Sequence, residues 1–177
     1  AVLLTSPYTP MLFMGEEWGA RTPWQFFSDH EGELAEAVRG GRRAEFAAHG
    51  WVAEDVPDPQ DEATFRRSAL DWAELDESRA ATLLGWHRSL LALRRAWPEL
   101  SDGRRDRVEV TFDEEARWLT VRRGRLAVAC NLSPERQVVG LPAAPKAVVL
   151  ASAAGFVFAD GQVEIDGESV AVVELIT

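Results

Sequence analysis

One cysteine, one lysine and one tyrosine are found among 177 residues. A lone cysteine makes no disulfide within the chain, so nothing in the sequence points to secretion, and a cytoplasmic setting is expected. Cys130 lies inside an apolar run, where it reads as a small buried hydrophobe, and no catalytic partner suggests itself. Positive charge is also scarce: 19 Lys+Arg against 29 Asp+Glu give a net charge of -10. That balance argues against nucleic acid, which needs clustered cations, and against an anionic membrane surface. It suits a neutral substrate such as a sugar without selecting one. There is no apolar run of membrane-spanning length, and Pro7 and Pro10 interrupt the apolar N-terminus, which no basic segment precedes. Neither a signal peptide nor a membrane span is expected. The three histidines, His30, His49 and His87, have no metal-ligand spacing, and no glycine-rich nucleotide loop is present. Neither a metal nor a cofactor is expected. The first residue is Ala1, not Met, which suggests a fragment or a processed product.

Apolar and aromatic residues are plentiful, and they are concentrated. The stretch from Thr9 to Gly19 is a short apolar run that ends in a glycine, two acids and a tryptophan. A second aromatic and acidic cluster follows from Thr22 to His30. Met11 to Met14 reads as a parallel strand, buried on both faces and therefore continuously apolar. In barrel enzymes such strands deliver their C-terminal ends to the site.

The two halves differ. Residues up to about 100 carry most of the tryptophan, all three histidines and several helical patterns; residues from about 104 are rich in valine with regular turn signals. Glu99 to Gly103 reads as the boundary. In the first half, Glu31 to Ala48 reads as a helix with Leu34, Val38 and Phe46 as its apolar positions, weakened by Gly40-Gly41. A proline-containing acidic loop follows to about Ala63, then a short helix within Glu62 to Leu70. A strong helix, capped by Asp76 or Ser78, runs to about Trp97. Leu83, Trp86, Leu90, Leu93 and Trp97 share one face, and Arg88, Arg94 and Arg95 fall mostly off it, toward solvent. Pro98 ends it.

The second half reads as short strands at Val108 to Phe112, Trp118 to Arg122, Leu126 to Asn131, Gln137 to Leu141, Ala147 to Leu150, Gln162 to Ile165 and Ser169 to Ile176. Arg123-Gly124, Asp160-Gly161 and Asp166-Gly167 supply turns. This is the pattern of a small antiparallel β-sandwich. A lone β/α unit exposes strand edges and apolar faces, so the first half is expected to need partner structure outside the chain.

Glu16 and Glu17 lie where a barrel places functional carboxylates. Adjacent residues leaving a strand point in different directions, which makes them a poor acid and nucleophile pair for glycosidic cleavage. They are expected to bond loop backbone, to pair with Arg21, or to touch substrate. Trp18, Trp24, Phe26 and Phe27 form either a local core or, for Trp24 and Phe27, a face on which a sugar ring packs. Asp29 either caps the helix that follows or joins His30 in orienting sugar hydroxyls. Arg66, Arg67 and the Leu70-Asp71-Trp72 turn border the same region, with an ion pair to the acids of 55–62 as the plainer role.

These residues resemble a known family. Thr9-Pro-Met-Leu-Phe-Met-Gly-Glu-Glu-Trp-Gly19 looks like the eighth barrel strand of the α-amylase superfamily. Trp24-Gln-Phe-Phe-Ser-Asp-His30, Val38-Arg-Gly-Gly-Arg-Arg-Ala-Glu-Phe46, Val56-Pro-Asp-Pro-Gln-Asp61 and Phe65-Arg-Arg-Ser-Ala-Leu-Asp-Trp72 narrow the likeness to its maltooligosyltrehalose trehalohydrolases. The resemblance is specific over residues 1 to about 100 and one of kind beyond. It implies the last β/α unit of a (β/α)₈ TIM barrel followed by a C-terminal β-sandwich. It also implies hydrolysis of the α-1,4 bond next to a terminal trehalose unit, with a maltooligosaccharide-type substrate and the remainder of the barrel as partners. The superfamily's nucleophilic aspartate, acid glutamate and stabilising aspartate lie on earlier strands, so no catalytic residue carries over. Trp24, Phe27, Asp29 and His30, with Glu16 and Glu17, are the expected substrate contacts, and the chain alone is expected to be inactive. A glycogen branching enzyme of the same superfamily and a non-catalytic carbohydrate-binding module are the rival readings.

Overall fold

The computed structural model describes residues 1–176, which divide into two compact units. One comprises Ala1–Phe13 with Thr82–Thr177, the other Met14–Ala81.

The larger unit is built on two antiparallel sheets. Its strands are β1 (Val108–Asp113), β2 (Trp118–Arg123), β3 (Leu126–Asn131), β4 (Gln137–Gly140), β5 (Pro145–Ala151), β6 (Phe156–Ala159), β7 (Gln162–Ile165) and β8 (Ser169–Leu175). Five pair in the order β1-β2-β3-β8-β5, and three in the order β4-β7-β6. The period-2 alternation of side chains sorts two cores onto the two faces of the larger sheet. Ala127, Ala129, Ala171, Val173 and Leu175 face one way and cluster with Val139, Val163 and Ile165 of the smaller sheet. Leu126, Val128, Cys130 and Val172 face the other way and cluster with Leu93 and Leu100. β3 is therefore buried along its whole length. At the β6–β7 hairpin, Asp160 (φ 44°) and Gly161 (φ 78°) are both left-handed, as a two-residue turn matched to sheet twist requires.

The helix α4 (Ser78–Ala96) follows the expected stripe: Leu90 and Leu93 are buried, with Leu83, Trp86 and Trp97 partly so. α5 (Pro98–Ser101) begins on Pro98 and buries Leu100. Arg94 departs from expectation. It is half-buried, and its guanidinium donates to the carbonyls of Leu4 (2.8 Å), Ser6 (2.9 Å) and Tyr8 (3.1 Å). Arg123, only 2% exposed, does the same for Thr5 (2.8 Å), Glu99 (2.7 Å) and Asp102 (2.5 Å). The two arginines thus occupy the carbonyls that the four-residue helix α1 (Val2–Thr5) and its exit leave without backbone partners. Burial, then the charge of Arg94, lowers the pKa of the Arg123 guanidinium.

The strand expected at Met11 to Met14 does not form. Those residues belong to no sheet and are exposed, Met11 at 85%. A strand is defined by its ladder, and no strand of either sheet comes from residues 1–107. No barrel is present among the described residues.

The smaller unit contains α2 (Gly32–Ala47), α3 (Glu62–Arg67) and single 3-10 turns at Ala53–Asp55 and Trp72–Asp76. α2 continues through Gly40-Gly41, and only Ala35 is buried; Leu34, expected on the apolar face, is 55% exposed.

Candidate functional site

The turn after Met14 is held by a residue that the sequence did not single out. Glu74, 8% exposed, accepts from the Trp18 indole (3.3 Å) and from the Arg21 amide (3.2 Å). The Arg21 guanidinium bonds to Glu77 and lies 3.5 Å from Glu74. These bonds, Glu77 first, raise the pKa of Arg21. Gly15 (φ 87°) must be glycine: a Cβ there would stand 2.6 Å from Ala20 Cβ. Trp18 is core, 3% exposed, its ring 5.2 Å from that of Trp72. Glu16 is exposed; Glu17 is half-buried, with one carboxylate oxygen buried and unbonded. The carboxylates that bond Arg21 are Glu74 and Glu77.

The loop carrying Trp24, Phe27, Asp29 and His30 is stitched to residues 58–68 by directional bonds. Gln25 N–H donates to Ser68 Oγ (3.0 Å), and Arg67 donates to the Gln25 side-chain oxygen (3.1 Å). Ser28 N–H donates to Pro59 O (2.8 Å). The Gln60 side chain donates to Ser28 Oγ (2.9 Å) and accepts from His30 N–H (2.9 Å). Asp58 fastens this segment to α2 through Arg39 (2.8 Å) and accepts from Gln60 N–H (2.9 Å). Burial pushes the Asp58 carboxyl up, but the Gln60 and Arg39 bonds outweigh it and leave its pKa below the ordinary value. Asp29 does not cap α2. The N-cap position is Glu31, whose side chain makes no cap bond, while Asp61 caps α3 by accepting from Ala63 N–H (2.8 Å).

Two cavities flank this loop. The first, of about 620 Å³, is lined by Phe27, Ser28, Asp29, Gln60, Asp61 and Phe65, among others. The Phe27 and Phe65 rings meet edge to face at 5.1 Å. Phe27 and Asp29 are thus brought together, with the exposed His30 adjoining through Gln60. The second, of about 470 Å³, takes Trp24 together with Phe26, Arg42, Phe46, Trp51 and Asp55. Glu16 and Glu17 line neither. Aromatic faces beside convergent polar groups are what a polyol ligand needs. Cleavage is another matter. Asp61 is committed to its cap, and Glu62, which also lines the first cavity, is bonded to Arg66 at 2.6 Å.

Sequence reasoning missed Glu74, Gln60, Phe65 and Trp51. Phe65 and Trp51 carried an aromatic signal, but the contact of Phe65 with Phe27 is a long-range one, and that of Trp51 with Phe46 depends on how the chain leaves α2. Among the described residues no group of three His, Cys, Asp or Glu could hold a metal, and no helix is long and apolar enough to cross a membrane.

A family described as a domain of unknown function (DUF3459) matches residues 103–172. A malto-oligosyltrehalose trehalohydrolase of Arthrobacter ramosus is 46% identical over 99% of this chain and 29% of its own length. One of Mycobacterium tuberculosis is 52% identical over 76% of this chain and 23% of its own. The chain therefore spans about a quarter of the length of the curated relatives it matches. A crystal structure from Salmonella typhimurium, assigned by its name to the alpha amylases, superposes with a TM-score of 0.76 at 35% identity over 98% of this chain and 29% of that one. A trehalulose synthase mutant superposes at 0.59 with 15% identity, a likeness of fold alone. The likeness to malto-oligosyltrehalose trehalohydrolases holds over nearly the whole chain.

Proposed function

We propose that this chain, homologous to malto-oligosyltrehalose trehalohydrolases along nearly its entire length, is the C-terminal part of such an enzyme. In this reading the parent hydrolyses the α-1,4 bond beside the trehalose end of maltooligosyltrehalose and releases trehalose. Residues 1 to about 100 complete the last β/α unit of its barrel, with Met11 to Met14 pairing only when neighbouring strands are supplied. Residues 104–177 form its β-sandwich. The observation that carries the reading is the 46% identity over 99% of the chain. The exposed apolar run at 11–14, unlike the buried β half, supports it, since such a run calls for partner structure.

The chain's own contribution is binding. Phe27 offers a ring face, Asp29 and His30 offer groups to sugar hydroxyls, and Trp24 extends the aromatic surface. Glu16 and Glu17, which line neither cavity, would reach substrate only where the completed barrel brings it past the end of the run. The nucleophile and the general acid come from the remainder of the barrel. The test is trehalose release from maltooligosyltrehalose by the chain alone and mixed with the missing N-terminal portion. Release only in the mixture is expected. Release by the chain alone, or none in either, would overturn the reading.

A further inference from the structure

The two cavities share no lining residue, yet Trp24-Gln25-Phe26 and Phe27-Ser28-Asp29 are consecutive stretches of one loop. We propose that the cavity lined by Trp24, Gln25, Arg42, Trp51 and Asp55 is a second, non-hydrolytic subsite that holds a neutral α-1,4-glucan arm. The proposal rests on the trehalohydrolase reading for the identity of the glucan, and on the cavity itself for everything else.

Its size, about 470 Å³, falls within the roughly 300–1,000 Å³ of small-molecule sites. Its walls are two indoles, with Trp24 52% and Trp51 53% exposed. Pyranose rings present apolar faces and hydroxyl edges, so they match flat aromatic faces bordered by polar groups. The walls are also fixed in advance. Trp51 packs edge to face on Phe46 at 5.3 Å, and its backbone amide donates to Phe46 O (3.1 Å) just past the end of α2. The Arg42 guanidinium lies 5.0 Å over the Phe26 ring and 4.6 Å over the Phe46 ring, tying loop to helix. Ordering costs are thus met before a ligand arrives. Charge selects the class of ligand. Arg42 is already paired with Glu45 at 2.9 Å, and Asp55 adds a carboxylate, so an anion finds no uncompensated cation here. Gln25 and Asp55 supply an amide and acceptor oxygens for vicinal hydroxyls.

The test is calorimetric titration of this chain with maltoheptaose and, separately, with trehalose. Maltoheptaose is expected to bind and trehalose not to. Trp51→Ala and Trp24→Ala should each weaken maltoheptaose about tenfold or more, Trp51→Tyr should restore most of the loss, and Phe112→Ala, on β1 of the other unit, should change nothing. Because Trp51→Ala also removes a packing partner of Phe46, amide exchange across 14–81 checks that the unit stays folded, and Trp24→Ala stands as the independent variant. Absence of maltoheptaose binding, or binding that neither tryptophan variant weakens, overturns the proposal. If binding persists while the reconstituted mixture releases no trehalose, the trehalohydrolase reading fails and the glucan site stands. If trehalose is released but the tryptophan variants are neutral, the reverse holds.

Discussion

β3 buries all six of its residues, whereas α2 buries one of its sixteen. The contrast runs through the whole molecule. The β unit is ordered by apolar burial on both faces of one sheet, a non-directional force of about 25 cal/mol per Å². The 14–81 unit buries fewer apolar side chains, Trp18 and Val56 among them, and leans more on bonds from Glu74, Ser68, Gln60 and Asp58, each worth net about 0.5–1.5 kcal/mol. The first arrangement rests mainly on apolar contacts, with a few buried polar side chains such as Arg123 and Asn131. The second gives a loop its shape while leaving its aromatic faces open, which is what a binding surface requires.

The sharpest way to break the contrast is a charge in the apolar sheet. Val128→Asp puts a carboxylate where Leu93, Leu100 and Val172 cluster and should cost more than about 4 kcal/mol. Cys130 reports the outcome. Its thiol is buried, and desolvation pushes it up to about 11, so a thiol reagent at pH 8 should label it only once the sheet opens. Rapid labelling of the variant but not of the native chain is expected; equal rates would mean the sheet is not the stable unit.

Next is a place where the β unit does rely on a polar side chain. Arg123→Met strands the carbonyls of Thr5, Glu99 and Asp102. Three stranded groups at the low end of about 1–3 kcal/mol each predict a loss of about 3 kcal/mol in denaturant unfolding. Amide exchange should accelerate first at residues 2–8. Arg94→Met should cost less, because its site is already half open to water.

In the 14–81 unit the largest single effect should come from Glu74→Gln. It keeps the shape but removes the charge that Trp18 and Arg21 bond, at about 1–3 kcal/mol. Faster exchange at 15–21 with unchanged protection in β3 and β8 would confirm that the units are held by different forces. An equal loss in both would show them to be one cooperative body.

What the sequence disclosed follows the same divide. Leu126–Asn131 and Gln162–Ile165 match their expected bounds because a short apolar run in the first, alternation in the second and the Gly turns beside both are local signals. β6 escaped notice because Phe156–Ala159 is only four residues long and follows an alanine-rich stretch. Met11 to Met14 misled because an apolar run encodes burial, while a strand also needs a ladder partner. Arg94 was read as solvated because helical periodicity cannot see a carbonyl 90 residues away. Of the site, the aromatic and acidic residues of 24–30 were legible by type. Their division between two cavities was not, since it depends on Pro59, Gln60 and Ser68 arriving from the far side of the loop.

The smallest effect separates the units by pH. The carboxyl of Asp58 is held below its ordinary value, so its contribution is present above that value, near about 4, and is lost as pH falls through the lower folded value. Exchange protection at Gln60, whose amide donates to that carboxylate, should therefore hold from neutrality down to about pH 4 and decay below it. β3 is fully buried and carries no carboxylate, so it should keep its protection over the same range. In Asp58→Asn the acid step should vanish, leaving a uniformly weaker 58–60 segment. The change should fall short of Glu74→Gln, because Arg39 and Asp58 are each about a third exposed (30% and 31%) and water screens the pair. A step that survives the substitution would assign it to another carboxylate and remove Asp58 from the set of bonds that shape the loop.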